Sequence, residues 1–377
     1  MDPLTGGFRL KEGLLYLNHA GVSPWPERTA RAVQRFAEEN MLQGSVDYLR
    51  WLGIEAGLRR KAKELINAPS ADDIALLKNT SEALSVVAYG LDWKKGDTVV
   101  GSNQEFPSNR IVWESLALKG VEFREADLRG AARPEDALFG QVDTRTRLIS
   151  VSSVQFATGL RMDLPRIGAF CKEKGILFCV DAIQSIGAVR CDVQEMHADF
   201  VMADGHKWML GPEGLALFYT SPAARDLLRL TQYGWHMVER AGDFDRREWS
   251  IEKSARRFEC GSPNMLGIHA LEASLSLLLE KGMEQVEREV IARSRYLIDR
   301  ILSLPELELL SPPEPGRYAG IVTFSHRSTD TDALYRHLTR NGVVCAPRGG
   351  GIRLSPHFYT PYAHLDRVLE LALSYIP

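Results

Sequence analysis

From about residue 74 onward the chain alternates short apolar runs with longer stretches of helical period. The runs DTVVGS, VEFREAD, RLISVSSVQ, ILFCVD and ADFVMAD carry mostly continuous hydrophobicity, as strands covered on both faces do. The stretches between them are long enough for the crossovers that parallel strands require, so this part predicts a largely parallel α/β sheet. The run GLALFY at 214–219 follows its predecessor after a loop too short for a crossover, which predicts an antiparallel return strand. Ahead of the sheet the first 20 or so residues read as extended. Pro24 and Pro26 then introduce a helix at 28–39, and a second helical region at 47–67 stops before Pro69. Around 240–258 the sequence turns charged and irregular, a join between domains. Beyond it the pattern predicts one long amphipathic helix over 265–303, strands at GIVTFSH and GIRLSP, and helices at 330–340 and 363–375. The expected organisation is a large α/β domain at 21–257 and a smaller α+β domain at 258–377, joined by the N-terminal segment 1–20.

Composition narrows the classes of function. With 377 residues and 45% apolar content the chain can bury a large core. A formal charge of -3 without Lys or Arg runs gives no footprint for nucleic acid or acidic membrane. No apolar stretch approaches the ~20 residues of a membrane helix, and MDPLTGGFRLKEG lacks a signal-peptide core. The five cysteines, at 171, 179, 191, 260 and 345, are odd in number and show no CxxC spacing, which points to the cytoplasm. No His, Cys and Asp cluster has metal-ligand spacing.

The chemistry concentrates at two strand ends. ILFCVD delivers Asp181 at its C-terminal end, and ADFVMAD delivers His206 and Lys207 just past its own. The interval of 26 residues suits one crossover helix and the next parallel strand, which would bring both groups to one rim of the sheet. An amine facing an acid suits pyridoxal phosphate: the lysine forms a Schiff base with the aldehyde, and the acid pairs with the pyridinium nitrogen. Lys207 would also move protons at the substrate α-carbon. A surface ion pair is the plain alternative for an Asp and a Lys at this spacing. Asn79-Thr80-Ser81-Glu82 precedes the helical run ALSVVAYGL, so its hydroxyls and backbone N–H groups are either an anion site or an ordinary helix cap.

With Gln184 three residues after Asp181, and with the phrases LNHAG, QEFPSN, DGHKWMLGPEG and IRLSPHFYT, the chain resembles the class V aminotransferase family from Leu17 to His357. That family also holds cysteine desulfurases, selenocysteine lyases and kynureninases, and the phrases are most similar to its isopenicillin-N-epimerase-like branch. The resemblance implies fold type I of the pyridoxal-phosphate enzymes, with a mostly parallel seven-stranded sheet and a smaller α+β domain. It implies a homodimer acting on a free amino acid. For individual residues it implies that Thr80 and Ser81 hold the phosphate and that Phe106 stacks on the pyridine ring. Gln184 would donate to the phenolic oxygen, His206 would reach the phosphate, and Ser262 would do so from a neighbouring subunit. Arg353 matches the arginine that grips the α-carboxylate in a bidentate pair. Asn18 and His19 align with the segment lining the substrate mouth, as do Tyr233, Trp235 and His236 less closely.

Two departures qualify that match. Many relatives carry Ser or Thr where this chain has Asp204, and a carboxylate there would repel a phosphate. Asp204 is expected to point away, to cap the turn after it, or to be offset by a protonated His206. Cysteine desulfurases also carry a nucleophilic Cys on a loop just before the carboxylate-binding arginine, whereas here Cys345 lies earlier, in the apolar run GVVCAP. The expectation is a transaminase, an epimerase or a β-lyase that needs no protein thiol, with cysteine desulfurase or selenocysteine lyase chemistry as the alternative. A scaffold without catalysis is the remote one. Arg348-Gly-Gly-Gly351 reads as a tight turn between strands.

Overall fold

Seven strands cross the large sheet in the order Ile74–Leu77, Ala216–Thr220, Phe200–Asp204, Leu177–Asp181, Thr146–Ser152, Thr98–Ser102 and Glu122–Ala126. They belong to a computed structural model that describes residues 7–130 and 133–375, so the first six residues of the N-terminal segment fall outside it. Only Ala216–Thr220 runs against its neighbours, as the short loop before it requires. The alternation of side chains across the sheet builds two cores. Val100, Ile149, Val151, Phe178, Val180 and Val201 pack on one face, and Val99, Leu148, Cys179, Phe200, Met202 and Phe218 on the other. Because both faces are covered, these strands read as continuous apolar runs, each buried Phe or Val contributing about 1.5–3 kcal/mol.

The first two helices, Glu27–Gln43 and Tyr48–Leu65, are close to the predicted spans. The single helix expected over 265–303 is instead two, Met265–Lys281 and Met283–Leu302. Gly282 separates them with φ +81°, a conformation open to glycine at little cost. Its N–H donates to the Leu278 and Leu279 carbonyls and closes the first helix. Ile268, Leu271, Leu275 and Leu278 of that first helix join the core under the large sheet. Leu297, Ile298 and Ile301 of the second face the smaller sheet, whose antiparallel strands run Ala346–Arg348, Gly351–Leu354, Val322–His326, Leu307–Leu309. Beside it Leu15–Tyr16 pairs in parallel with Val343–Val344. The chain between Asn18 and Ser355, bridged to each other, therefore brings the N-terminal segment and the Arg353 strand to the rim where Asp181 and Lys207 emerge.

Candidate active site

Asp181 ends the strand Leu177–Asp181, whose parallel register pairs it with Met202 of the next strand. Directly past Asp204 the chain turns through Gly205 and His206 and reaches Lys207. Asp181 is 2% exposed, and one carboxylate oxygen accepts the Ile183 N–H at 3.1 Å. Burial pushes its carboxyl up to about 7, against the pull of that N–H and of Lys207. Burial also brings the Lys207 amine down to about 8; Asp181 opposes that fall, and Arg353 adds to it. Among the described residues no hydrogen bond holds the Lys207 amine. Its Nζ stands 5.7 Å from the centre of the Phe106 ring, which is 41% exposed and meets Phe156 edge-on at 5.2 Å. Phe106 is thus an open aromatic face beside the amine.

Thr80 begins the helix Thr80–Gly90, and Asn79 caps it by accepting the Glu82 N–H. The Thr80 hydroxyl accepts the Asp204 N–H at 3.1 Å, which leaves its own proton free. Ser81 is exposed and donates to Ser108 at 2.8 Å. Facing this helix end, His206 Nδ1 and Asp204 Oδ1 lie 3.1 Å apart, at ion-pair distance. Neither atom has an aligned hydrogen bond. The Asp204 carboxylate thus faces His206 instead of pointing away from it. Gln184 is buried; its amide donates to the Ala20 carbonyl at 3.1 Å and accepts from the Trp208 indole at 2.9 Å.

Arg353 occupies a central position in the smaller sheet, opposite Thr323 and Ala346. It donates to the Phe156 carbonyl at 2.7 Å and to the Asn18 side chain at 3.3 Å. Its Nε is buried without a partner, and burial lowers the guanidinium to about 10. His19 is fully buried between the Ser355 carbonyl and the Tyr359 hydroxyl, each 2.7 Å away. Burial pushes it down to about 4, which makes it a neutral brace of the Asn18–Ser355 bridge. Ser262 is exposed, on the loop that follows Cys260. Trp235 is partly exposed, and His236 is buried near Glu259.

These groups fit pyridoxal phosphate. A cation-poor rim would leave an anion unpaired, but here Arg353 Nε and His206 Nδ1 are orphaned, Thr80 keeps a free donor, and an unengaged amine faces an open ring. Two further residues belong to the site that the sequence did not single out. Trp208 is fully buried and holds Gln184. Glu105 directly precedes Phe106, with its carboxylate surrounded by donors. Only its neighbour Phe106 carried a signal in the sequence.

The profile of the class-V aminotransferases matches residues 15–356. A probable cysteine desulfurase of Methanothermobacter thermautotrophicus is 32% identical over 92% of this chain and 90% of its own. One of Pyrococcus abyssi is 31% identical over 82% and 80%. Among solved structures, the cystine C-S lyase C-DES in complex with its reaction product cysteine persulfide superposes with a TM-score of 0.89 at 22% identity, covering 97% of this chain and 99% of that one. The cysteine desulfurase CsdA from Escherichia coli gives 0.86 at 22%, covering 98% and 97%.

Proposed function

The chain belongs to the class-V aminotransferase family and is a pyridoxal 5′-phosphate-dependent enzyme, and from that premise we propose that it breaks the Cβ–S bond of a free amino acid without a thiol of its own. The sulfur substrate is suggested by the relatives named cysteine desulfurases. The carrying observation is the hairpin before Arg353. Arg348 pairs with Gly351, so only Gly349 and Gly350 form its turn, both at positive φ, +60° and +81°. That is the geometry of a tight two-residue hairpin, and it has no room for a mobile nucleophile. Cys345 sits below it between two strands, 5% exposed, its thiol pushed up to about 12 by burial, so it is neither ionised nor mobile.

When bound, the cofactor supplies the electron sink for charge developing at the substrate α-carbon. Lys207 would anchor it and take the α-proton, and Asp181 would hold the ring nitrogen's proton. Arg353 would orient the substrate by its carboxylate. Thr80, Ser81 and His206 would hold the phosphate, and Phe106 would cover the ring and exclude water. The Cβ–S electron pair would leave with the sulfur as thiol or persulfide, and water would release the three-carbon remainder as pyruvate and ammonia. The proposal includes a homodimer in which Ser262 reaches the partner's phosphate. It also includes a cytoplasmic setting, in keeping with five free cysteines; no helix of the described residues is long and apolar enough to cross a membrane.

Product analysis on cysteine and cystine tests this. Pyruvate and ammonia in equal amounts with the released sulfur are expected, and Cys345→Ser should turn over like the wild type. Alanine in place of pyruvate, with loss of activity in Cys345→Ser, would establish a desulfurase. A keto acid from a sulfur-free amino acid, or loss of chirality with no sulfur released, would establish a transaminase or an epimerase.

A further inference from the structure

Glu105 sits in the turn between Thr98–Ser102 and the helix Ser108–Glu114, 7% exposed. Oε1 accepts from the Ser102 hydroxyl at 2.8 Å and the Gln155 amide at 2.9 Å. Oε2 accepts from the Asn109 amide and the Ser152 N–H, both at 2.9 Å, and from the Ser152 hydroxyl at 2.5 Å. Asn109 is fixed in turn by the Trp113 indole at 2.9 Å and the Ser150 hydroxyl at 2.6 Å. All five partners of the carboxylate are donors, the arrangement that suits an anion. No cation forms an ion pair with Glu105 among the described residues, so this charge is stabilised by dipoles but not cancelled. Its two closest structural links point at the cofactor site. Phe106 is the next residue, and Ser152 is the register partner of Asp181 across the sheet.

We propose that Glu105 is a positioning residue for the cofactor ring: its gripped carboxylate fixes the turn that presents Phe106 and places an uncompensated negative charge against Ser152, on the strand beside Asp181. One effect would reach the ring through Phe106 and the other through Asp181. Holding the turn keeps the Phe106 ring beside the Lys207 amine. The negative charge makes Asp181 a stronger base, so a proton shared between Asp181 and the ring nitrogen is retained. In keeping with this, Glu105 is among the groups that push the Asp181 carboxyl upward, after burial. The proposal rests on the reading of Lys207 and Asp181 as cofactor ligands.

The test uses apo-protein labelled with [4-13C]aspartate, in which Asp181 is assigned by the resonance missing from Asp181→Asn. Glu105→Gln keeps the shape and removes the charge, and should lower the Asp181 titration midpoint by about half a pH unit or more. Glu105→Asp keeps the charge and withdraws the grip; it should leave that midpoint in place but weaken pyridoxal phosphate binding severalfold, read by quenching of tryptophan fluorescence. Ser152→Ala removes one donor of five and should weaken binding in the same way, which keeps the proposal open to refutation if Glu105→Gln does not fold. An Asp181 midpoint unmoved in folded Glu105→Gln overturns it, as does wild-type cofactor affinity in both Glu105→Asp and Ser152→Ala. Borohydride reduction of the wild-type holoenzyme tests the underlying reading separately. Cofactor fixed to a lysine other than Lys207 would remove that reading, whereas cofactor on Lys207 with unchanged midpoint and affinity would remove the role of Glu105 alone.

Discussion

Burial shifts the two key groups in opposite senses, and each shift has a measurable consequence. Lys207, brought down to about 8 by burial with Arg353 adding to it, has a reactive amine at mildly alkaline pH. The rate at which apo-protein develops visible absorbance on adding pyridoxal phosphate should climb through about pH 8. Arg353→Leu removes a neighbouring positive charge and should move that midpoint up, while weakening capture of the amino-acid substrate by a few kcal/mol. A midpoint near that of a free lysine in the wild type would refute this account. Asp181 is shifted the other way, up to about 7. A carboxyl that binds its proton more tightly when folded contributes stability below its unfolded value, near 4, and that contribution is lost as pH rises toward 7. Denaturant melts of apo-protein should show wild-type stability falling by up to a few kcal/mol more across that window than the stability of Asp181→Asn. At this scale Asp181 and Lys207 drew notice in the sequence because each stands at the end of an apolar run, whereas Arg353 was singled out only by the family resemblance. Glu105 was not legible, since its partners Ser152 and Gln155 lie about 50 residues on and a Glu beside a turn ordinarily reads as solvated. The burial of His19 was equally invisible, because it depends on Ser355 and Tyr359 at the far end of the chain.

Among the elements, six of the seven large-sheet strands were legible as short apolar runs, whereas Ile74–Leu77 was not singled out, and the crossover from Asp181 to Phe200 is built of turns where a helix was expected. The break at Gly282 was not legible, since the helical period of apolar residues continues on either side of it and only the backbone angle reveals the interruption. The contact of the smaller sheet with Trp208 was also hidden. Gly320 lies just ahead of the strand Val322–His326, and a Cβ there would come within 2.2 Å of the Trp208 ring. A glycine is required because the tip of the indole's six-membered ring presses on the backbone there, and that indole holds Gln184. Gly320→Ala would push Trp208 toward Gln184 and the Lys207 turn. It should cost about 1–3 kcal/mol in urea unfolding and also weaken cofactor binding. Loss of stability with cofactor affinity unchanged would show that the indole yields away from the site instead.

At the scale of the whole molecule, the homodimer proposal makes a claim about an exposed face. Tyr233, Trp235, Phe244 and Trp249 are 63%, 42%, 78% and 60% exposed, and their rings pair, Tyr233 with Trp249 at 6.4 Å and Trp235 with Phe244 at 5.7 Å. A soluble monomer rarely leaves so many clustered aromatic rings in water, because each forfeits apolar burial. The patch is continuous with the loop that carries Ser262, since the His236 N–H donates to the Cys260 carbonyl and Gly234 lies tight against the same carbonyl. A partner that covers the rings would therefore also fix the Ser262 loop, and two-fold symmetry would apply the same constraint to both sites at once. The wild type should sediment as a dimer, and Phe244→Glu with Trp249→Glu should give a folded monomer, because both side chains are largely solvated in the single chain. That monomer should lose cofactor affinity although none of its own residues near Lys207 has changed, and Ser262→Ala should lose part of it while remaining a dimer. A wild-type monomer with full cofactor affinity and turnover would end the proposal that the site is shared between subunits.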